Sequence, residues 1–463
     1  MRAARFVLRA VTTYGLVVGL LGPQPASGQV EASTRAANAG DATAPAVSDD
    51  EIQRLVDRLF FPKKPDDDEE LRLQTIGRRT TPFLVKALGN SDKVTAKFGE
   101  DERVFSEPLH RICDAVSREN LPEIVGSLAK YSDHHESGIR WNAARVLGRL
   151  GSKECIGPVL KALEDKDSFV RDGARRGILT AIEEKKCVDE VRVAVFPVLE
   201  KQLRKRDADG DGDLPKLMLE LDRVRALTIL LSAEILSVDN RQACYALAAL
   251  NDAKVKIPHE RLLPYLQAAK PLSKNDTHDY AYCEALKAYG RNPDANAAAT
   301  LRAELSTRNP FVPEGAAEGL AILFGVEDAE QFVVKLHEKV GFEKLSEAQR
   351  RYYAVWSFER HLYSGGFRQY FESSEGKHWK ECSGGLEAMW GVKKSEIFRR
   401  VLAVFEPGTP DADDAKRRAQ VAAFSAAQLQ SLADLRLEYD NCGEDIYTRL
   451  AVYAADHSKD FRK

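Results

Sequence analysis

The chain has 463 residues, 44% of them hydrophobic, with 68 basic and 71 acidic side chains and a net charge of −3. The apolar content supports a large core, and roughly 100–200 residues per domain allows two to four domains. The near balance of charge argues against a general nucleic-acid binder, which would carry a basic face, and against an acidic tail protein. The first 28 residues differ from the rest: Arg2, Arg5 and Arg9 precede the apolar run Val11 to Leu21, and GPQPASG follows, with Ala26 and Gly28 at the small-residue positions of a cleavage site. This is the layout of a secretory signal peptide, and the apolar run falls short of the ~20 residues a membrane span needs. The mature chain is expected to begin near Gln29 and to be periplasmic or secreted, with no stable membrane anchor. Residues 29–48 are rich in Ala, Ser, Thr and Gly without hydrophobic period and read as a disordered linker. Of the seven cysteines, Cys113, Cys155, Cys187, Cys244 and Cys283 lie in helical apolar patterns and read as small buried hydrophobes; a bridge between Cys382 and Cys442 stays open.

From Asp49 onward the apolar spacing is helical and strand signals are scarce. Ile139, Ala143, Val146, Leu147 and Leu150 share one helix face, and after Gly151 a shorter stripe runs Ile156, Val159, Leu160, Leu163. These segments repeat. At an offset of 31 residues IRWNAARVL, from Ile139, aligns with VRDGARRGI, from Val170, so that Arg140 meets Arg171, Ala143 meets Ala174 and Arg145 meets Arg176. At an offset of 142, FVRDGARRGI, from Phe169, aligns with FVPEGAAEGL, from Phe311, with Asp167 opposite Asn309. Ala143, Ala174 and Ala316 are expected to let helices approach closely, and Asp167 and Asn309 to cap helix N-termini through side-chain oxygens. A helix pair of this kind buries its apolar face only against its neighbours. The expected fold is therefore all-α: a solenoid over 49–345 followed by a helical domain over 346–463. The stretch from Gly138 to Ile182, with a fainter copy from Leu301 to Gly325, resembles HEAT-like repeats of the phycobilisome-lyase type. That resemblance brings no enzymatic activity with it.

The usual catalytic signatures, GxxxxGK[ST], GxGxxG after a strand, GxSxG and HExxH, do not occur. DHHE at Asp133 to Glu136 is metal-like in composition only, because adjacent helical histidines point about 100° apart; it reads as a polar loop between helices. DADGDGDL, from Asp207 to Leu214, is sharper. Asp207, Asp209 and Asp211 take positions 1, 3 and 5 of an EF-hand-like loop, with Gly212 at position 6 and Asp213 beside it. Met218 stands where the bidentate glutamate belongs, and Glu220 comes two residues late. Two readings remain for Asp207, Asp209, Asp211 and Asp213: a weak Ca²⁺ site, or a solvated acidic loop. No other cofactor is expected.

EAQRRYYAVWSFERHLY reads as a helix with Tyr352, Val355, Trp356, Glu359 and Tyr363 on one stripe, stopped at Gly365-Gly366 and followed by a sharp reversal. Phe367, Tyr370 and Phe371 then fall at i, i+3, i+4 and read as core, while Gln369 is expected to hydrogen-bond a turn. The run Ser364, Gly365, Gly366, Phe367, Gln369, Tyr370, Phe371, Ser373, Ser374 continues into GLEAMWGVKKSEIFRRVLAVF and DIYTRLAVYAADHSKDF. It resembles the C-terminal domain family named after a bacterial DNA-mimic protein, whose pattern is N-G-G-F-x-Q-[FY]-F-x-N-S. Both family asparagines are serine here, at Ser364 and Ser373. The resemblance implies an all-α domain used for protein contact. A DNA mimic needs carboxylates spaced like phosphates, yet residues 352–463 carry 16 basic and 17 acidic side chains.

The expected function is that of an exported, non-enzymatic interaction protein that binds an unidentified protein partner, and no nucleic acid, through the solenoid and the C-terminal domain. Gly365, Gly366, Phe367, Gln369, Tyr370 and Phe371 are the candidate binding residues. An enzyme with its site around Gly365 to Ser374, with Gln369 and Glu359 as polar groups, is the alternative. A DNA-mimic inhibitor comes third.

Overall fold

The computed structural model describes residues 47–60, 68–89, 111–112, 115–116, 121–205, 212–267, 276–307, 309, 311–389 and 391–462. Among the described residues there is no strand; the fold is all-α, as the periodicity predicts. The helices are α1 Asp49–Arg58, α2 Glu69–Ile76, α3 Thr81–Gly89, α4 Leu121–Ala129, α5 Ser137–Leu150, α6 Ile156–Leu163, α7 Ser168–Glu183, α8 Asp189–Leu203, α9 Leu214–Leu221, α10 Arg223–Leu230 and α11 Ala243–Asp252. They continue as α12 His259–Gln267, α13 Asp276–Arg291, α14 Ala297–Glu304, α15 Val312–Leu323, α16 Ala329–Val340, α17 Glu347–Glu372, α18 Trp379–Ala388, α19 Val392–Ala403, α20 Asp414–Ala422, α21 Ala426–Asn441 and α22 Ile446–Asp456. None of the described helices is long and apolar enough to cross a membrane.

Alternate helices pack into a continuous row, α5 on α7, α7 on α9, α9 on α11, α11 on α13 and α13 on α15, and α22 closes against α15. This is the stacking expected of a solenoid-like array, in which each element buries its apolar stripe on the next. Arg302 pairs with Asp456 at 2.6 Å and Arg462 donates to the Phe324 carbonyl at 2.7 Å, so the change of pattern near Leu345 falls inside one packed body.

Glycine, not alanine, sets the closest approaches in the row. Ala143, Ala174 and Ala316 are fully buried, but a Cβ added to Gly177 would lie 2.1 Å from the Arg145 carbonyl oxygen. At the α13–α15 contact, a Cβ on Gly290 would lie 2.1 Å from the Gly319 carbonyl oxygen. Gly173 and Gly177 meet Gly315 and Gly319 at the 142-residue offset, so that offset marks two copies of one backbone-to-backbone contact.

The caps and loops follow the repeat as well. Asp167 accepts from the Phe169 amide at 3.0 Å, and Asn309 accepts from the Phe311 amide at 2.9 Å, although α15 itself begins at Val312. Arg140 donates to the His134 and His135 carbonyls, at 2.9 and 3.1 Å, and grips Asp165 with two nitrogens. Its copy Arg171 donates to the Asp165 and Lys166 carbonyls at 3.0 and 3.3 Å. The six described cysteines are free, and Cys382 is wholly buried, so Cys382 and Cys442 are not bridged. Burial pushes the Cys244 thiol up to about 11 and the Cys283 thiol up to about 12, which leaves both unreactive.

Candidate functional site

The two glycines of α17 divide it into two helical segments. Gly365 has an extended φ of −173°, and Gly366 has φ 77° and ψ −167°, a region that favours glycine. The Phe358 ring lies 6.0 Å from Phe367 and 4.8 Å from Tyr370. In a straight helix, residues twelve apart would be separated by about 18 Å. The chain therefore doubles back at the glycines, the reversal that the Gly-Gly stop predicts. Phe367, Tyr370 and Phe371 are at most 2% exposed and join Phe358, Phe398 and Tyr439 in one aromatic core. The stripe of the first segment is buried at Tyr352, Val355 and Trp356 but not at Tyr363, which is 50% exposed.

Gln369 does not clamp a turn. It is exposed, its side chain has no hydrogen-bond partner among the described residues, and its Oε1 lies 1.9 Å from where a Gly365 Cβ would be. Helical spacing explains this: two residues past Phe367 is about 200° round, on the face opposite the core. Serines bond the backbone on either side of the reversal, and an arginine holds the far end of α17. Ser364 donates to the Arg360 carbonyl at 3.1 Å, and Ser373 to the Tyr370 carbonyl at 2.7 Å. Arg417 of α20 is 0% exposed. It donates to the carbonyls of Phe371 (2.8 Å), Ser373 (2.6 Å) and Asp411 (2.9 Å) and to the Asp414 carboxylate (2.7 Å). One guanidinium thus satisfies carbonyls that α17 leaves open at its C-terminus.

These positions predict distinct variant behaviour. Gly366→Val should destabilise the full chain by about 1–3 kcal/mol through its positive φ, and Phe367→Ala by about 3–5 kcal/mol through a core void. Gln369→Ala should change stability by less than about 0.5 kcal/mol, as for other exposed groups. Thermal and denaturant melts of the three variants check this; a destabilised Gln369→Ala would contradict the exposed placement.

A second polar group lies between α17, α19 and α21. Glu359 accepts from Lys394 Nζ at 3.2 Å and from the Tyr439 hydroxyl, and Lys394 Nζ sits 3.9 Å above the Tyr439 ring. Burial first, then the Glu359 carboxylate, drives the Tyr439 hydroxyl well above its ordinary value. The carboxylate of Glu444 accepts from the Lys393 and Lys394 amides at 3.3 and 3.0 Å and so caps α19. The group is closed: each charge has a protein partner, and Glu359 and Lys394 side chains are only 12% and 8% exposed. Spacing along the sequence could not have assembled it, because its members lie 35 and 80 residues apart.

His378 adds a pH-sensitive contact. Its ring stacks on Phe342 at a centroid distance of 3.5 Å, and burial, with smaller contributions from Lys377, His337 and Arg417, lowers it to about 4. An unfolded histidine titrates near 6.5. The folded state therefore disfavours the proton. The contribution is complete above about pH 6.5 and is lost as pH falls towards 4, by roughly 3 kcal/mol. His378→Phe should keep the stack and flatten this part of the stability–pH curve. Parallel slopes for parent and variant between pH 4 and 7 would refute it.

The metal candidates come to little. Asp207, Asp209 and Asp211 lie outside the described residues, and Asp213 stands 3.7 Å from Arg176. His134 and His135 stack at 4.4 Å on a loop that Arg140 holds by its carbonyls, and His135 is exposed. Among the described residues no three His, Cys, Asp or Glu side chains are placed to hold a metal ion. A recess of about 470 Å³ between the ends of α13 and α15 and Phe461 contains none of the predicted site residues, and its Arg291 and Glu327 pair at 3.2 Å.

Residues 343–457 match the family model of the DMP19-like proteins. The match covers about a quarter of the chain, from just before α17 to the end of α22. It contains the reversal, Arg417, His378 and the Glu359–Lys394–Tyr439 group, and confirms the resemblance read from the SGGFRQYF run. No curated protein matches the chain. Within the DMP19-like region, Phe367, Tyr370 and Phe371 are core and only Gly365 and Gln369 of the predicted binding residues are exposed.

Proposed function

We propose that the chain is an exported, non-enzymatic scaffold that binds a partner protein along its row of helices and through the DMP19-like region. The observation that carries this reading is the continuous packing of α5, α7, α9, α11, α13, α15 and α22, which joins the repeats to the DMP19-like region. Such arrays offer long surfaces to partners, in keeping with a HEAT-like origin for the repeats. In the DMP19-like region Glu359, Lys394 and Tyr439 are committed to one another and Arg417 to backbone carbonyls and Asp414, which speaks for a structural role for these four rather than a catalytic one. Export rests on the Arg2-to-Gly28 layout, and no cofactor is proposed beyond weak Ca²⁺ binding at Asp207 to Asp213.

Crosslinking of the full chain in native extract, with mass spectrometry of the products, tests the scaffold reading. A stoichiometric partner crosslinked to α5–α15 supports it, and a monomer without crosslinks in any fraction removes it. N-terminal sequencing tests export: an intact Met1 in a cytosolic fraction would remove that part. The DMP19-like match favours a DNA mimic as the second reading. A partner that is a DNA-binding protein, released by duplex DNA, would move that reading to first place.

A further inference from the structure

Among the described residues Arg145 has no ion-pair carboxylate. Arg145 on α5 and Arg176 on α7 occupy the same position of the 31-residue repeat. Arg176 has Asp172, one turn back, at 2.8 Å, and Asp213, just before α9, at 3.7 Å. Arg149, one turn beyond Arg145, has Glu184 at 2.8 Å. Arg145 has no such partner. Four residues back, where its copy has Asp172, the chain has Trp141, and the guanidinium lies 5.3 Å from the centre of that ring. No described residue gives Arg145 a hydrogen-bond acceptor or an ion-pair carboxylate. Burial, then the charges of Arg176 and Arg149, lower its affinity for its own proton, and the Asp172 carboxylate only partly offsets them, so the site would gain from an incoming anion. Trp141 stacks on Phe169 at 5.1 Å and 9°, and Phe169 is 44% exposed.

We infer that Trp141 and Arg145 anchor a carboxylate side chain of a partner protein, with the exposed Phe169 receiving the apolar side chain beside it. This rests on the scaffold reading and names the chemistry its partner must carry. A guanidinium takes a carboxylate through two parallel hydrogen bonds, and Trp and Arg together are the residues most enriched at binding hot spots. A nucleic-acid backbone fits worse. It needs several open cations in a line, whereas Arg149 and Arg176 are already paired.

Fluorescence anisotropy on the full chain provides the test, with a labelled peptide of alternating glutamate and leucine and the same peptide carrying glutamine. The parent should bind the glutamate peptide at least about tenfold more tightly, as expected for a charge-assisted pair. Arg145→Gln should abolish that preference, and Arg176→Gln should keep it. Arg145→Gln should melt close to the parent temperature, because the fold loses only the contact of that charge with the Trp141 ring. Equal binding of the two peptides to the parent would overturn the inference. So would an intact preference in Arg145→Gln, or tighter binding of a single-stranded oligonucleotide than of the glutamate peptide. Photo-crosslinking from Phe169→p-benzoylphenylalanine in native extract separates this site from the scaffold reading. Capture that is lost on adding Arg145→Gln supports both. Capture at unchanged yield leaves the scaffold standing and removes the anchor, and no capture here or elsewhere along α5–α15 removes both.

Discussion

Gly177→Ala is expected to destabilise the array by about 3 kcal/mol, the upper end of the usual range for overpacking. The added Cβ would stand 2.1 Å from the carbonyl oxygen of Arg145 on the neighbouring helix. That oxygen belongs to backbone, so no side chain can swing aside; α5 and α7 must separate. Separation opens the interface along Ala143, Ala174, Leu147 and Ile178, all fully buried. Interiors are close-packed, so even a small separation forfeits dispersion contacts over the whole face. Gly290→Ala should behave alike at the α13–α15 contact, where the corresponding distance is also 2.1 Å. Gly157→Ala is the control. That glycine is exposed with nothing within 4 Å of an added Cβ, so the change should be neutral or stabilise by up to about 1 kcal/mol through helix propensity. Denaturant unfolding followed by circular dichroism gives the comparison. If Gly177→Ala and Gly157→Ala unfold at the same denaturant concentration, the helix backbones do not meet as described.

Arg417→Met should cost about 3 kcal/mol, the upper end of the range for leaving buried hydrogen-bond groups without their partner. Methionine fills much of the same volume, so the loss comes from polar groups and not from a void. The carbonyls of Phe371, Ser373 and Asp411 would be left without their donor, that of Phe371 in a buried setting, and the half-exposed Asp414 would lose its cation. An unpaired buried carbonyl costs about 1–3 kcal/mol. Arg417 also holds the Asp414 carboxyl below the usual range, so in the variant that group should titrate closer to an ordinary aspartate. Arg417→Lys keeps the charge but not the planar fork that reaches both sides of the loop, and it should recover less than half of the loss. Thermal melts measure the cost, and hydrogen exchange at the end of α17 locates it. Protection there equal to the parent's in Arg417→Met would show that Arg417 is not the clamp.

The helical class, the two repeat offsets, the Asp167 cap and the core role of Phe367, Tyr370 and Phe371 were legible in the sequence alone, whereas Asn309 bonds the Phe311 amide ahead of its helix instead of capping it. Each of the legible features depends on spacing within one or two turns, which the 3.6-residue period and the cap chemistry determine locally. The exposure of Gln369 was legible on the same ground, since the angle that buries Phe367 and Tyr370 turns Gln369 outward. Tertiary structure alone decided the rest. Gly177 and Gly290 looked like any helical glycine until a neighbouring carbonyl lay against them. Arg417 looked like one more base in DAKRRAQ, yet it is buried while Arg418 beside it donates to the Glu372 carbonyl at the surface. Glu359, Lys394 and Tyr439 come from three helices, and Arg145 stands without a carboxylate only because of which side chains its neighbours present. Periodicity says where a residue sits on its own helix. Which face meets which, and therefore which charges are paired and which are left open, is set by contacts between segments far apart in the chain.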